Sequence, residues 1–128
     1  MEDRMLEKGN HRIEGGTMAM QNLLKLPHPP SAVMASNDLT AIGALGAIHH
    51  AGLRVPDDIS IIGFDDMSFA QLTQPPLTTV VISRIQLAIT AFAALDRLIR
   101  KEETNGVDYR IPTHLIVRAS TRALRNGG

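Results

Sequence analysis

The chain has 128 residues with thirteen basic and thirteen acidic side chains, and it contains no cysteine. Its length is that of one folded domain. Its balanced charge gives no electrostatic indication of nucleic-acid binding. The lack of cysteine excludes disulfides and zinc–thiolate sites. No apolar run reaches the roughly 18 residues that a membrane span needs, and the opening MEDRMLEKGN has no apolar signal-peptide stretch. We therefore expect a soluble domain with no membrane segment.

The first half of the chain predicts a helix, a strand and a second helix. A helix with one apolar side is expected over residues 14–26, and it ends at the prolines of PHPP. The short apolar run of residues 32–35 predicts a buried strand. Apolar residues at spacings of three then predict a helix over residues 38–52. Its small residues, among them Gly43 and Gly46, indicate close packing against a sheet or another helix.

The second half predicts more strands and one long helix. Residues 59–64 are apolar on both faces, which is typical of a strand between two helix layers. Residues 77–82 predict a further strand, and residues 83–101 predict a long helix with a continuous apolar stripe. Two more strands are expected near 109–111 and 115–118. Strand, helix and strand in this order predict parallel pairing with a right-handed crossover, so we expect an α/β fold with a parallel sheet flanked by helices.

Polar residues follow the first two predicted strands. Asn37 and Asp38 come after the first strand, and Asp65 and Asp66 come after the second. Ligands of open parallel sheets bind at the carboxyl ends of the strands, and these side chains suit a ligand rich in hydroxyl or N–H donors, such as a sugar, a nucleobase or a nucleoside. The alternative is structural: Asn37 or Asp38 caps the next helix, which spacing alone favours, and one of the two later acids is a solvated loop residue.

Catalysis and metal binding have no support in the sequence. Asp65 and Asp66 are adjacent and point to opposite sides of an extended chain, so they make a poor acid–base pair. His49 and His50 are about 100° apart on a helix and cannot chelate one metal as an i, i+4 pair does. The other histidines are isolated, and the sequence has neither a phosphate loop nor a nucleophile elbow. We expect no catalytic residue, no metal site and no cofactor.

Three motifs resemble those of one known family. AVMASNDLTAIGALGAIHHAGLRVPDDISIIGFDD, then PPLTTV, then HLIVRAST resemble, in order, the C-terminal part of the LacI/GalR family of bacterial transcriptional regulators. The resemblance runs from about Ile13 to Thr121. It implies a two-lobed effector domain of the type I periplasmic-binding-protein-like fold, present here in part. Residues 1–128 then form mostly the C-terminal lobe, residues 83–112 belong to the other lobe, and no DNA-binding domain is included.

The resemblance also implies roles for individual residues. Asn37 and Asp38 are expected to contact the ligand, Asp65 to accept hydrogen bonds from it, and Arg84 to lie in the cleft, while Asp66 stabilises its loop. The expected partners are a sugar or sugar derivative, a second copy of the chain in a cytoplasmic homodimer, and operator DNA bound only through the missing N-terminal domain. The apolar stripe of residues 83–101 is expected to pack against another protein surface, such as that of a second copy. A periplasmic sugar-binding protein of an uptake system is the alternative, and neither is an enzyme.

Overall fold

A computed structural model describes residues 5–102 and 106–123 of the chain. Within those residues it contains, in chain order, α1 (Ile13–Leu24), β1 (Ala32–Met34), α2 (Asp38–His50), β2 (Ser60–Phe64), a 3₁₀ helix (Ser68–Leu72), β3 (Thr78–Ile82), α3 (Arg84–Ile99) and β4 (Thr113–Ile116). The strands form one sheet in the order β1-β2-β3-β4. β1, β2 and β3 pair in parallel as predicted, whereas β4 pairs antiparallel with β3, so the sheet is mixed. No helix in these residues is long and apolar enough to span a bilayer.

α1 and α2 cross at very short range through glycines. A methyl group at Gly16 would collide with the Thr40 carbonyl, and one at Gly43 would collide with the Ile13 carbonyl. The hydroxyl of Thr17 donates to the Gly43 carbonyl at 3.2 Å, which ties the two helices together. The predicted close packing is confirmed for Gly43. It is wrong for Gly46, which faces open space.

The apolar core lies on one face of the sheet, between it and the helix pair. Its larger members are Met20, Leu23, Leu45, Ile48, Ile59, Ile61 and Leu77. The prediction that β2 is buried on both faces is wrong for this chain, because α2 covers the face of Ile61 and Gly63 while Ile62 and Phe64 stay partly exposed. β1 was also predicted to be buried. It is instead an edge strand of the described sheet, and Met34 is 71% exposed.

α3 and β4 extend beyond this core. The Ser83 hydroxyl caps α3 by accepting from the Gln86 amide at 3.2 Å, which confirms the predicted start of the long helix. The strand predicted at 115–118 lies two residues earlier, at Thr113–Ile116, where it pairs with β3. The strand predicted at 109–111 is absent. Because Thr113 pairs with Ile82, which is the last residue of β3, the residues before Thr113 extend beyond the end of the strand that β4 pairs with.

Candidate functional site

The carboxyl ends of β1, β2 and β3 meet at one edge of the sheet. Asn37 follows β1, Asp65 follows β2 and Arg84 follows β3. Parallel strands lie about 4.8 Å apart, so these predicted residues occupy neighbouring positions along the edge. This edge is the candidate site, and each side chain on it has a different set of partners.

Asn37 is the N-cap of α2, as the structural alternative predicted. Its Oδ1 accepts from the Thr40 amide at 2.9 Å, and its Nδ2 donates to the His11 carbonyl at 3.0 Å. The side chain is half-buried. One amide hydrogen and one oxygen lone pair remain for a ligand.

Asp38 is completely buried at the first position of α2. Its Oδ1 accepts from the Thr79 hydroxyl at 2.6 Å, and its Oδ2 accepts from the Met67 amide at 2.8 Å. A methyl group at Gly63 would collide with Oδ1, so only glycine leaves room for this carboxylate. Asp38 therefore joins α2 to β3 and to the loop after β2. Contact with a ligand stays a prediction for Asp38, and the contacts described here support a structural role.

Asp65 occupies the end of the middle strand in an uncommon backbone conformation. Its φ is 106° and that of Asp66 is 49°, both in a region that side chains other than glycine rarely adopt. Its amide donates to the Val80 carbonyl at 2.8 Å, which holds the bend. Strained residues of this kind collect at binding sites, where the surrounding structure holds them in place.

The charge of Asp65 is poorly compensated by the protein. Partial burial, and secondly the nearby Asp38, raise the pKa of Asp65 above its ordinary value of 3.8, while Arg84 and His11 act in the opposite direction. A carboxylate in this position gains from additional hydrogen-bond donors. Asp65 is therefore suited to accept hydrogen bonds from a bound hydroxyl or N–H group.

Asp66 has a different partner from Asp65, and its contacts agree with the stabilising role expected for it. Its Oδ1 accepts from Arg118 Nη2 at 2.7 Å, and Nη1 of the same arginine donates to the Leu77 carbonyl at 2.8 Å. The two charged side chains are only 22% and 19% exposed. The pair connects the loop after β2 to the segment that follows β4.

Sequence reasoning missed the residues that hold this loop and the sheet beside it. The buried Ser120 hydroxyl donates to the Ile61 carbonyl and accepts from the Thr78 amide, both at 2.7 Å, so it bridges β2 and β3 where their pairing begins. The Ile61 amide also donates to the Ser120 carbonyl. The only signal for Ser120 and Arg118 was the motif HLIVRAST, which marks the segment without giving its contacts.

His11 also lies at the edge, although the sequence showed it only as an isolated histidine. Its Nδ1 is 3.2 Å from the Ser36 hydroxyl, and its carbonyl accepts from Asn37, so the residues before α1 cross the end of β1.

At the other end of the site, Arg84 is exposed and its Nη1 lies 3.6 Å from Met67 Sδ. Across the described ranges, no three histidine, aspartate or glutamate side chains form a group that could hold a metal ion.

A groove of about 590 Å³ lies beside the edge strand, between β1, α1 and residues 5–9. It is lined mainly by apolar side chains, and it reaches the candidate site only at Ser36 and Thr40. The polar residues of the strand ends, Asp65 and Arg84, do not line it. The groove therefore adds no polar group to the site.

Comparison with known proteins gives the class of this chain. Residues 2–121 match the model of the periplasmic binding protein-like domain, and the chain belongs to that family. The relatives and solved structures that it resembles are transcriptional repressors and LacI family regulators, as the motifs predicted.

Two curated repressors illustrate the relationship. The chain is 46% identical over 117 residues to the probable HTH-type transcriptional repressor ExuR of Bacillus subtilis, with 91% of the chain and 35% of the repressor covered. It is 38% identical over 124 residues to the HTH-type transcriptional repressor CytR of Escherichia coli, with 97% and 36% covered. The chain thus spans about a third of the length of these relatives.

Two solved structures with bound sugars share the fold. The regulator CelR in complex with cellobiose superposes with a TM-score of 0.78 at 34% identity, covering 94% of this chain and 37% of that one. A LacI family regulator from Enterococcus faecium with bound ribose gives a TM-score of 0.74 at 29% identity, covering 91% and 43%. The matches cover nearly all of this chain and less than half of each regulator.

Proposed function

We propose that this chain is the effector-binding and dimer-forming region of a LacI-family DNA-binding transcriptional regulator, and that its effector is a sugar or sugar derivative. The observation that carries the proposal is Asp65, whose poorly compensated carboxylate stands at the end of the middle parallel strand in a left-handed backbone. The repressor relatives and the two sugar-bound regulators support it.

The proposed ligand contacts divide between three strand ends. Asp65 accepts hydrogen bonds from ligand hydroxyls, Asn37 contributes its remaining amide hydrogen, and Arg84 donates from its guanidinium. Asp38 also acts through the loop after β2, because it binds the Met67 amide two residues beyond Asp65. Asp66 holds the same loop from its other side through Arg118.

The proposed mechanism is a population shift between conformations of a two-lobed domain. An effector that binds between the lobes favours one relative angle of the lobes and thereby changes the affinity of the dimer for operator DNA. Residues 83–112 are proposed to pack in the other lobe, and DNA is proposed to bind through an N-terminal domain. Such a regulator acts in the cytoplasm and performs no catalysis. An uptake protein in the periplasm is the alternative, and the repressors among the relatives favour the regulator.

The test is calorimetric titration of the chain with a panel of sugars, sugar derivatives and nucleosides, run on the native protein and on Asp65→Asn. We expect a sugar or sugar derivative to bind and Asp65→Asn to lose at least about tenfold in affinity, because the amide cannot accept as the carboxylate does. Asp57→Asn is the matched control, since Asp57 is an exposed acid in the turn before β2. Equal binding by Asp65→Asn and native protein would reject the strand-end site.

A further inference from the structure

The face of the sheet opposite the helix pair is apolar on all four strands. In the register of the sheet, Ile62 of β2 aligns with Met34 of β1, and Val80 of β3 aligns with both Phe64 of β2 and Leu115 of β4. Aligned residues of neighbouring strands point to the same face. Met34 and Leu115 are 71% and 55% exposed, and the other three are partly exposed. These five residues form the open sheet face.

An α/β sheet normally buries each apolar face under a layer of helices. In the described residues, α1 and α2 supply that layer on one face, where the core lies. The third helix, α3, buries none of its residues. The chain therefore has an apolar sheet face without a helix and an apolar helix without a sheet.

α3 has the composition and the size of the missing layer. Residues 85–95 contain no charged side chain. Its large apolar residues recur at helical spacing on one side, each more than half exposed, and are called the stripe of α3: Ile85, Ile89, Phe92, Leu95 and Ile99. A helix of sixteen residues is about 24 Å long and about 10 Å wide. Laid along β3, whose five residues span about 17 Å, it reaches the side chains of β2 and β4 on either side.

The area decides how many such contacts a stable assembly needs. Each side chain of the stripe offers on the order of 100 Å² for burial, so one stripe offers roughly 500 Å² and the sheet face beneath it a similar area. One contact of this kind buries roughly 1,000 Å², which is below the size of a standard specific interface. Two contacts bury roughly 2,000 Å², which is enough for a stable dimer.

We propose that two copies of the chain associate about a twofold axis, with α3 of each copy packed on the open sheet face of the other. The exchange covers both unpartnered faces of both copies and closes on itself, so it stops at a dimer. The inference goes beyond the proposed function, because it concerns how the 128-residue chain associates and not what it binds as effector. In the longer regulator proposed above, the other lobe covers α3 instead.

Two neighbouring residues of β4 test the sheet side of the contact. Leu115 and His114 are both exposed in the single chain, and their side chains point to opposite faces of the sheet. We expect sedimentation equilibrium to show a dimer for the native chain at micromolar concentrations. Leu115→Ser should raise the dissociation constant of the dimer at least about tenfold, because it removes apolar area from the open sheet face. His114→Ser is the matched control and should associate like the native chain, and thermal melts establish that both variants are folded.

Cross-linking between copies identifies the two surfaces that meet. The chain contains no cysteine, so single-cysteine variants can be linked selectively with the short reagent bismaleimidoethane. Ala88→Cys lies on the side of the stripe, and Val80→Cys lies on the open sheet face. We expect a mixture of these two variants to give a cross-linked heterodimer, which intact-mass spectrometry distinguishes from the homodimers. Gly46→Cys, on the exposed side of α2, replaces Val80→Cys as the control and should give no heterodimer.

Each result decides for or against the inference. A native chain that stays monomeric, or a dimer that Leu115→Ser does not weaken, overturns it. Cross-links between two Ala88→Cys chains without any to Val80→Cys indicate that α3 pairs with α3, and they overturn it as well. A chain that carries both cysteines and links them to each other, when the mixed single variants do not link, shows that α3 folds onto its own sheet. The titration with sugars is independent of all these results, so the proposed effector site is tested separately.

Discussion

α2 and α3 are both rich in apolar residues, but they use them in opposite ways. α2 buries seven of its thirteen residues against α1 and the sheet. α3 has sixteen residues and buries none of them in the described part of the chain, and Ile85 and Phe92 are 76% and 74% exposed. An isolated helix of that length is marginal in water. α3 therefore has the composition of a packed helix, but no other element in the described residues covers its apolar side chains.

The two regions also differ in the bonds that hold them. Around α2, buried side chains connect elements that are far apart in sequence: Asp38 reaches Thr79, and Ser120 reaches both Ile61 and Thr78. Along α3, the polar contacts of the described residues are local or exposed, such as the Arg100–Asp96 pair one turn apart. Exposed pairs of this kind contribute little to stability. Substitutions in the two regions should therefore differ greatly in their effect on unfolding.

The largest effect is expected from Asp38→Ala in the packed region. The change leaves the buried Thr79 hydroxyl and the Met67 amide without their acceptor, and two charge-assisted bonds are lost, so the free energy of unfolding should fall by about 4 kcal/mol. Urea denaturation followed by circular dichroism measures the change. Asp57→Ala removes an exposed acid and should cost no more than about 0.5 kcal/mol. Similar losses for the two variants would show that Asp38 is not a structural link.

Ser120→Ala tests the bridge between β2 and β3. Without the hydroxyl, the Ile61 carbonyl and the Thr78 amide lose their partner in the interior, and we expect a loss of about 3 kcal/mol in the same denaturation experiment. The exposed Ser31→Ala is the control, with an effect within about 0.5 kcal/mol. A Ser120→Ala variant as stable as the control would mean that the two strands hold together without the bridge.

A pair of glycine variants should have opposite signs. Gly63→Ala forces a methyl group against Asp38 and Leu77, and overpacking of this kind should cost about 2 kcal/mol. Gly46→Ala places a methyl group in open space on the exposed side of α2, where replacing glycine should add about 0.5 to 1 kcal/mol of stability. Thermal melts of the two variants provide the comparison. A stabilising Gly63→Ala would contradict the close contact with Asp38.

The elements could be predicted from sequence wherever local signals sufficed. The prolines after α1, the cap at Asn37 and the cap at Ser83 each act within a few residues, and those helices begin or end close to where they were expected. The burial of a strand is a different matter, because it depends on its neighbours in the sheet. The apolar run AVM is compatible with an edge strand as well as with a central strand of a sheet. For that reason β1 was wrongly predicted to be buried.

The sequence predicted where the candidate site should lie, but it did not predict the contacts among its residues. The rule that ligands bind at strand ends needs only the order of strands and helices. It selected Asn37 and Asp38 after the first strand and Asp65 and Asp66 after the second, and the family resemblance then favoured Asp65 over Asp66. The sequence did not show which acids are held by other side chains, because their partners lie far along the chain. Asp38 binds Thr79, which is 41 residues away, and Asp66 binds Arg118, which is 52 residues away. His11 was missed because only the folded chain brings it to the end of β1.

Asp65→Asn is expected to affect ligand binding and stability in opposite directions at pH 7. Burial, and then Asp38, raise the pKa of Asp65, so the charged form is disfavoured in the folded state. An acid whose pKa is raised by folding contributes most to stability at pH values below its ordinary pKa of 3.8. That contribution is lost as the pH rises through the pKa of the folded state. We therefore expect Asp65→Asn to be slightly more stable than the native chain at pH 7 and to lose this advantage near pH 3. Melting temperatures measured across that range test the sign, and an advantage that grows towards low pH would contradict it.

The smallest effect on unfolding is expected from Phe92→Ser, although this replaces a large apolar side chain. Phe92 is exposed in the single chain, so at dilutions where the chain is monomeric the free energy of unfolding should change by no more than about 0.5 kcal/mol. Association should respond instead, because a second copy that covers the stripe of α3 would lose a central aromatic contact. Light scattering coupled to size exclusion should show a dimer for the native chain and for Gln86→Ser on another side of the helix, and a shift towards monomer for Phe92→Ser. A strictly monomeric native chain would mean that a copy of this chain does not cover α3, and the other lobe of the proposed domain would then be its remaining partner.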